Sequence, residues 1–247
     1  MRSTRSRQIH LAGIFGMLAL FGAGCGGSHS KGNAYLYVQW TVADVGSPST
    51  GLNCQDVGAG DVVVTMVNNA DPSHPYTDTF PCASQGYTGT TAYVPSGTYS
   101  VTVRLYGDAK DYGNATTVLD ELTSTQTLMS GANTLPQTDF LVNSFVLGWV
   151  VTRGGLASTC AAVGASYVEL DVTFSGQSQP TAYYLDCFGY NPAATLSIPM
   201  GNYNIKWQAF LVDASYYDVP GSVGTSLASY NVTNGVQADL GTAYFAM

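Results

Sequence analysis

Apolar residues recur at every second position along this chain, in short runs separated by Gly, Pro, Asn and Asp. VVVTM (Val62 to Met66) and YVELDVTF (Tyr167 to Phe174) are two such runs. A period of two marks a strand with one buried face, and frequent turn formers mark many short strands. No stretch of the body carries the three-and-four apolar spacing of an amphipathic helix, so helices should be scarce. Seven runs are expected in the first half, near 35–42, 61–67, 76–82, 88–94, 97–106, 116–122 and 134–141. Seven more are expected in the second, near 145–152, 167–174, 182–188, 193–198, 201–211, 225–231 and 237–246. Seven short strands in roughly 105 residues predict a Greek-key β-sandwich.

The two halves also share words. CQDVGAG at Cys54 returns as CAAVGAS at Cys160, Trp40 is answered by Trp149, and Cys82 by Cys187. VPSGTYSVTV, from Val94, is answered by IPMGNYNIKW, from Ile198. The offset stays near roughly 105 residues, far longer than the 20–50 of a solenoid repeat, so the pattern predicts two tandem domains. Their bounds are expected at 34–142 and 143–247. In PSGTY and PMGNY, Pro presets φ, Gly takes an unusual backbone angle, and Tyr opens a long strand. Both tryptophans are expected in the core.

The first 24 residues stand apart. Arg2, Arg5 and Arg7 precede a nearly apolar segment from Ile9 to Phe21, shorter than the roughly 20 residues a bilayer span requires. That is the pattern of an export signal. The signal closes in FGAGC, where the chain resembles bacterial lipoproteins, whose signals end in an apolar-small-small-Cys box. Ala23 and Gly24 fit the box, while Gly22 stands where Leu is usual. The resemblance implies that Cys25 becomes the lipid-bearing first residue, followed by a tether over 25–33. It also implies the outer membrane, because Gly26 follows the cysteine where Asp often marks retention in the inner one.

Export implies an oxidising compartment, and four further cysteines are available. The spacings Cys54 to Cys82 and Cys160 to Cys187 differ by one residue, so each half should close its own loop. Such a bridge is worth roughly 3.5 kcal/mol by loop entropy. If strands alternate in direction, Cys54 and Cys82 fall at the same pole, which makes that pairing sterically possible.

The mature chain as a whole resembles surface lipoproteins of Gram-negative bacteria built from tandem immunoglobulin-like or prealbumin-like modules. The P-x-G-x-Y-x-V element carries that likeness. The fold it implies is all-β: two tandem seven-stranded sandwiches, each with one disulfide. Only Asn143 and Ser144 separate the halves, so the modules should stack as a stiff rod.

Charge narrows the partners. Without the three signal arginines, five of the eight basic residues remain against 16 acidic ones. Such a body does not bind nucleic acid or an anionic bilayer by charge. A lipid would have to hold the membrane alone, which two or more acyl chains achieve.

Catalytic vocabulary is sparse. His74, in DPSHPY, is the sole histidine of the body, and no G-x-S-x-G or H-E-x-x-H motif occurs. No enzyme is expected. Asp56, Asp61, Asp108 and Asp111 share the pole facing the second half, where clustered carboxylates could hold a hard cation such as Ca²⁺. Asp108 and its echo Asp213 are equally well explained as turn formers. At the free pole of the second half, Tyr190, Tyr216 and Tyr217 lie on loops, where tyrosine makes low-entropy contacts to sugars or proteins. The expected function is a lipid-anchored, non-catalytic envelope protein acting as spacer or binding module. Recognition of polysaccharide or peptidoglycan through those tyrosines is the alternative.

Overall fold

The computed structural model describes residues 34–83, 87–109, 115–189, 191–195 and 197–247. The signal segment, the tether with Cys25, Asp111 and Tyr190 lie outside them. In the first half the strands are β1 (Ala34–Asp44), β2 (Ser47–Leu52), β3 (Ala59–Asn68), β4 (Asp71–Pro81), β5 (Thr88–Thr90), β6 (Gly97–Gly107), β7 (Val118–Leu128), β8 (Gly131–Thr134) and β9 (Thr138–Val142). The second half holds β10 (Phe145–Arg153), β11 (Leu156–Ser158), β12 (Tyr167–Phe174), β13 (Thr181–Asp186), β14 (Ala193–Ala194), β15 (Tyr203–Val212), β16 (Ala228–Val232) and β17 (Ala238–Ala246). Among the described residues a single helical turn, Cys160–Val163, interrupts it. The chain is therefore nearly all-β, and among the described residues no helix is long and apolar enough to cross a membrane.

The pairing repeats as the wording does. In the first half β4-β3-β6-β7 forms an antiparallel sheet; in the second, β13-β12-β15-β16 does the same. The other sheet of the first half centres on β1, which pairs antiparallel with β2 and β5 and parallel with β8 and β9. Its counterpart centres on β10, with β11 and β14 antiparallel and β17 parallel.

Alternation places the core between each pair of sheets. Leu36, Val38 and Trp40 of β1 meet Val62 and Val64 of β3 and Val101 and Val103 of β6, all buried. In the second half Leu147 and Trp149 meet Val168, Leu170, Ile205 and Trp207. These are two separate hydrophobic clusters, one per half. Each buried Val or Leu is worth about 1.5–3 kcal/mol.

The duplicated phrases become duplicated local structure. Cys54 pairs with Cys82 and Cys160 with Cys187, with Cα–Cα distances of 5.8 and 5.9 Å. Both lie inside the disulfide range of about 4.4–6.8 Å. In C-x-x-V-G-A the Cys carbonyl accepts from the Ala amide, at 2.8 Å in the first copy and 2.9 Å in the second. Each turn is capped one residue earlier, by Asn53 on Asp56 N and by Thr159 on Ala162 N. The glycine is required by conformation: φ is 61° at Gly58 and 79° at Gly164, where a side chain would be strained. In P-x-G-x-Y, the Tyr99 hydroxyl donates to Pro95 O at 2.8 Å and Tyr203 to Pro199 O at 2.9 Å. This is the corner that pins a strand start in many sandwiches. Of its two glycines only Gly201 has a positive φ, so the expected unusual angle is absent at Gly97.

The strand count differs from the seven expected per half: among the described residues nine strands fall in the first and eight in the second. The extra ones are β2 (SPSTGL), β8 (GANT) and β11 (LAS), short edge segments with no apolar alternation to announce them. β7 also runs further than 116–122, because its LTSTQT segment is held by side-chain pairs such as Thr102–Thr123 (3.0 Å) and Thr98–Thr127 (3.3 Å).

The halves meet at the end of β1 and the start of β10, and cluster as one compact unit. Gln237 Nε2 donates to Asp44 Oδ1 at 3.1 Å and to Ser144 Oγ at 2.9 Å. Met200 N donates to Val118 O at 3.0 Å, and the buried Ser197 hydroxyl donates to Val57 O. The Cys54 loop thus lies at the junction, as strand direction requires.

Candidate functional site

β12 runs from the far end of the second half, at Tyr167, back towards the junction. Val168, Leu170 and Val172 point inward, leaving Tyr167, Glu169 and Asp171 on the outer face. Tyr184 of β13 and Phe210 of β15 are the cross-strand partners of Glu169, so both share that face. After β15 the chain turns sharply. Asp213 Oδ1 accepts from Ser215 N at 2.8 Å and Tyr217 N at 3.1 Å, while Asp213 N donates to Tyr217 O at 2.9 Å. Asp213 is thus the turn former its position suggests.

That turn throws Tyr216 back over the sheet. Its ring stacks on Tyr167 at 5.3 Å between centroids and 11° between planes, and meets Tyr184 edge-on at 4.7 Å. Tyr167 and Tyr184 close the triangle at 6.4 Å. Tyr216 remains 51% exposed, despite two aromatic neighbours, and Tyr217 beside it is 67% exposed. The backbone of Tyr216 has φ 63°. For a bulky residue that is an outlier, of a kind that gathers at functional sites.

A carboxylate adjoins the rings. Asp186 is the cross-strand partner of Tyr167, and its Oδ1 accepts from Phe188 N at 2.8 Å. The adjoining Tyr216 phenol, and to a lesser degree Asp186, hold the Tyr167 hydroxyl above the usual tyrosine range. Tyr184 and Asp186 also wall a shallow groove of 450 Å³ that continues past Gly189 and Pro192 to Ala194.

The first half supplies a control on what the fold itself demands. At the places of Tyr167, Tyr184 and Phe210 it carries Asp61, Thr79 and Arg104, set by the same register around Val63. One fold accommodates both sets, so packing of the core does not call for the aromatic ones. In the first half this outer face is threonine-rich, and the Arg104 guanidinium is paired with Glu121.

Of the sequence-predicted tyrosines, Tyr216 and Tyr217 sit at this surface and Tyr190 lies outside the described residues. Sequence reasoning missed Tyr167 and Tyr184. Alternation would have placed both on the outer face, but nothing in the sequence said that the loop after β15 returns there.

The four aspartates behave differently. Asp56 Oδ2 accepts from Asn53 N at 3.0 Å and Asn53 Oδ1 from Asp56 N at 3.0 Å, a reciprocal turn. Asp61 lies within β3, and Asp108 N donates to Gly58 O at 2.7 Å, while Asp111 is outside the described residues. Among the described residues no three His, Cys, Asp or Glu side chains converge as a metal ligand set.

His74 has a serine and an aspartate beside it. Ser73 Oγ lies 2.8 Å from His74 Nδ1 and donates to Asp71 Oδ1 at 2.5 Å, while Nδ1 is 3.4 Å from Asp71 Oδ2. Catalytic triads use opposite imidazole nitrogens for serine and carboxylate. Here one nitrogen faces both, the hydroxyl proton is already committed to Asp71, and the trio is exposed on edge strand β4. The Ser73 bond holds the Asp71 carboxyl below its usual range, as in a surface turn.

No protein-family model and no curated protein sequence matches the chain. Among solved structures it is similar to a candidate cell-adhesion protein from Parabacteroides distasonis, at 10% identity over 87% of this chain and 89% of that one, TM-score 0.40. A candidate polysaccharide-binding protein from Bacteroides thetaiotaomicron gives 8% identity over 74% and 77%, TM-score 0.37. The Bacillus anthracis TIE protein gives 12% identity and TM-score 0.32; the chain aligns over 86% of itself but spans only 34% of that protein. Identities and scores this low assign neither family nor function.

Proposed function

We propose that this protein is a non-catalytic, lipid-anchored envelope protein of a Gram-negative bacterium that holds a glycan-binding surface away from its membrane. Cys25 carries the lipid, 25–33 is the tether, and 34–142 and 143–247 are two modules that fold around their own disulfides. The first module acts as the spacer and the second carries the recognition surface.

The observation behind this reading is the Tyr167–Tyr184–Tyr216 cluster. Tyr216 is exposed and held by a strained backbone, Tyr167 and Tyr184 are half-buried beneath it, and the sister half carries Asp61 and Thr79 at the places of those two. Aromatic faces pack against the C–H faces of pyranose rings, and flanking carboxylates accept the hydroxyls. A spacer with no ligand would have no use for an exposed aromatic patch, which normally marks an interaction site.

The test is a pull-down of the soluble body on insoluble polysaccharides and peptidoglycan, with wild type beside a Tyr216→Ala/Tyr217→Ala variant. Retention of wild type and loss of the variant is the expected result. Absence of retention on every polymer leaves the spacer role alone.

A further inference from the structure

The tyrosine cluster and the groove beside it share a wall. Tyr184 both meets Tyr216 and lines the groove, and Asp186 is the cross-strand partner of Tyr167 and part of the groove lining. The groove holds 450 Å³, within the range of about 300–1,000 Å³ that accepts a drug-sized ligand, and so a short stretch of sugar chain. The rest of its lining, Leu185, Gly189, Pro192, Ala193 and Ala194, is small or apolar, and among the described residues it contains no cation.

We infer that platform and groove form one continuous site for the interior of an uncharged polysaccharide chain, one sugar stacked on Tyr216 and the following ones passing Asp186 into the groove. This rests on the glycan reading above and narrows it in charge and in length.

Both restrictions come from the residues at the seam. A carboxylate accepts sugar hydroxyls strongly, yet repels a uronate, sulfate or phosphate on the same sugar. Among the described residues no Lys or Arg lines the groove to offset that repulsion, and the body as a whole is strongly acidic. Length follows from layout: a single sugar reaches the platform or the groove, while a chain engages both, and the second contact then forms intramolecularly. The groove is open along the side of the sandwich, between edge strands β13 and β14, so the chain needs no free end.

The experiment is calorimetric titration of the full chain carrying Cys25→Ser, which keeps it free of lipid. Probes are β-1,3-glucan, β-1,4-glucan and α-mannan oligomers of one, two, four and six sugars, each beside the form oxidised to uronate at C6. At least one neutral series should bind, with the hexamer at least tenfold tighter than the monomer and the oxidised hexamer at least tenfold weaker. Ala194→Trp, which fills the groove at an exposed position, should abolish the gain from length. Asp186→Asn should narrow the gap between neutral and oxidised forms. Equal affinity for both forms, or a monomer as tight as the hexamer, overturns the inference while leaving the glycan reading standing if Tyr216→Ala still abolishes binding. Binding by no glycan, with capture of a lysine-rich peptide instead, overturns both.

Discussion

Tyr216 stacks on Tyr167 at 5.3 Å although its own backbone, at φ 63°, would suit glycine better. The ring contact and the strain oppose each other, at about 0.5–1.5 kcal/mol for an aromatic pair and about 1–2 kcal/mol for a left-handed residue. Tyr216→Gly removes both. Its stability should therefore stay within about 1 kcal/mol of wild type in urea, while glycan retention is lost. A large loss of stability would make Tyr216 a packing residue.

The Trp40 indole donates to Cys82 O at 3.1 Å inside the core and stacks on Phe80. Trp40→Phe keeps a ring but leaves that buried carbonyl without its donor. It should cost about 1–3 kcal/mol, read as a lower urea midpoint with an unchanged slope.

Each half has its own hydrophobic cluster and its own bridge, so each should fold alone. Segments 34–142 and 143–247, expressed separately, should give dispersed amide spectra and cooperative melts. Replacing Cys54 and Cys82 together with Ala should destabilise the first segment by about 3–4 kcal/mol, with no change in the second. A segment that stays unfolded would show that the two clusters form one cooperative unit.

Asp139 of β9 and Asp120 of β7, which holds Leu141 of β9, should respond to acid in opposite senses. Asp139 accepts from the Thr41 hydroxyl at 2.6 Å and Gln137 Nε2 at 2.7 Å, which holds its carboxyl below the usual value. Its contribution is present above the unfolded carboxylate pKa and is lost as pH falls through the lowered folded one. Asp120 is pushed up by burial, even though it accepts from Leu141 N and Glu121 N. Its contribution is fully present below the unfolded pKa and is lost as pH rises through the raised folded one. In unfolding titrations, the advantage of wild type over Asp139→Asn should therefore grow with pH across the acid range. The advantage over Asp120→Asn should shrink. The reverse order would contradict both assignments.

Period-two alternation announced the long strands well: YVELDVTF is β12 from Tyr167 to Phe174 without adjustment. Repetition announced the bridges, because a copied loop needs a copied staple. What lacked an apolar face stayed hidden. SPSTGL, GANT and LAS are strands through backbone pairing alone, and such pairing is decided by neighbours distant in sequence. The site was half legible for the same reason. Loop tyrosines Tyr216 and Tyr217 stood out by type, while Tyr167 and Tyr184 acquire meaning only once the Asp213 turn folds Tyr216 back upon them.

Amide chemical-shift mapping of the body during titration with a bound neutral oligosaccharide tests the central claim most directly. The account predicts shifts concentrated at Tyr167, Tyr184, Asp186, Ala194 and Tyr216, with the threonine-rich face around Thr65 and Thr102 silent. Shifts centred on that face, or on the junction around Gln237 and Ser197, would contradict it.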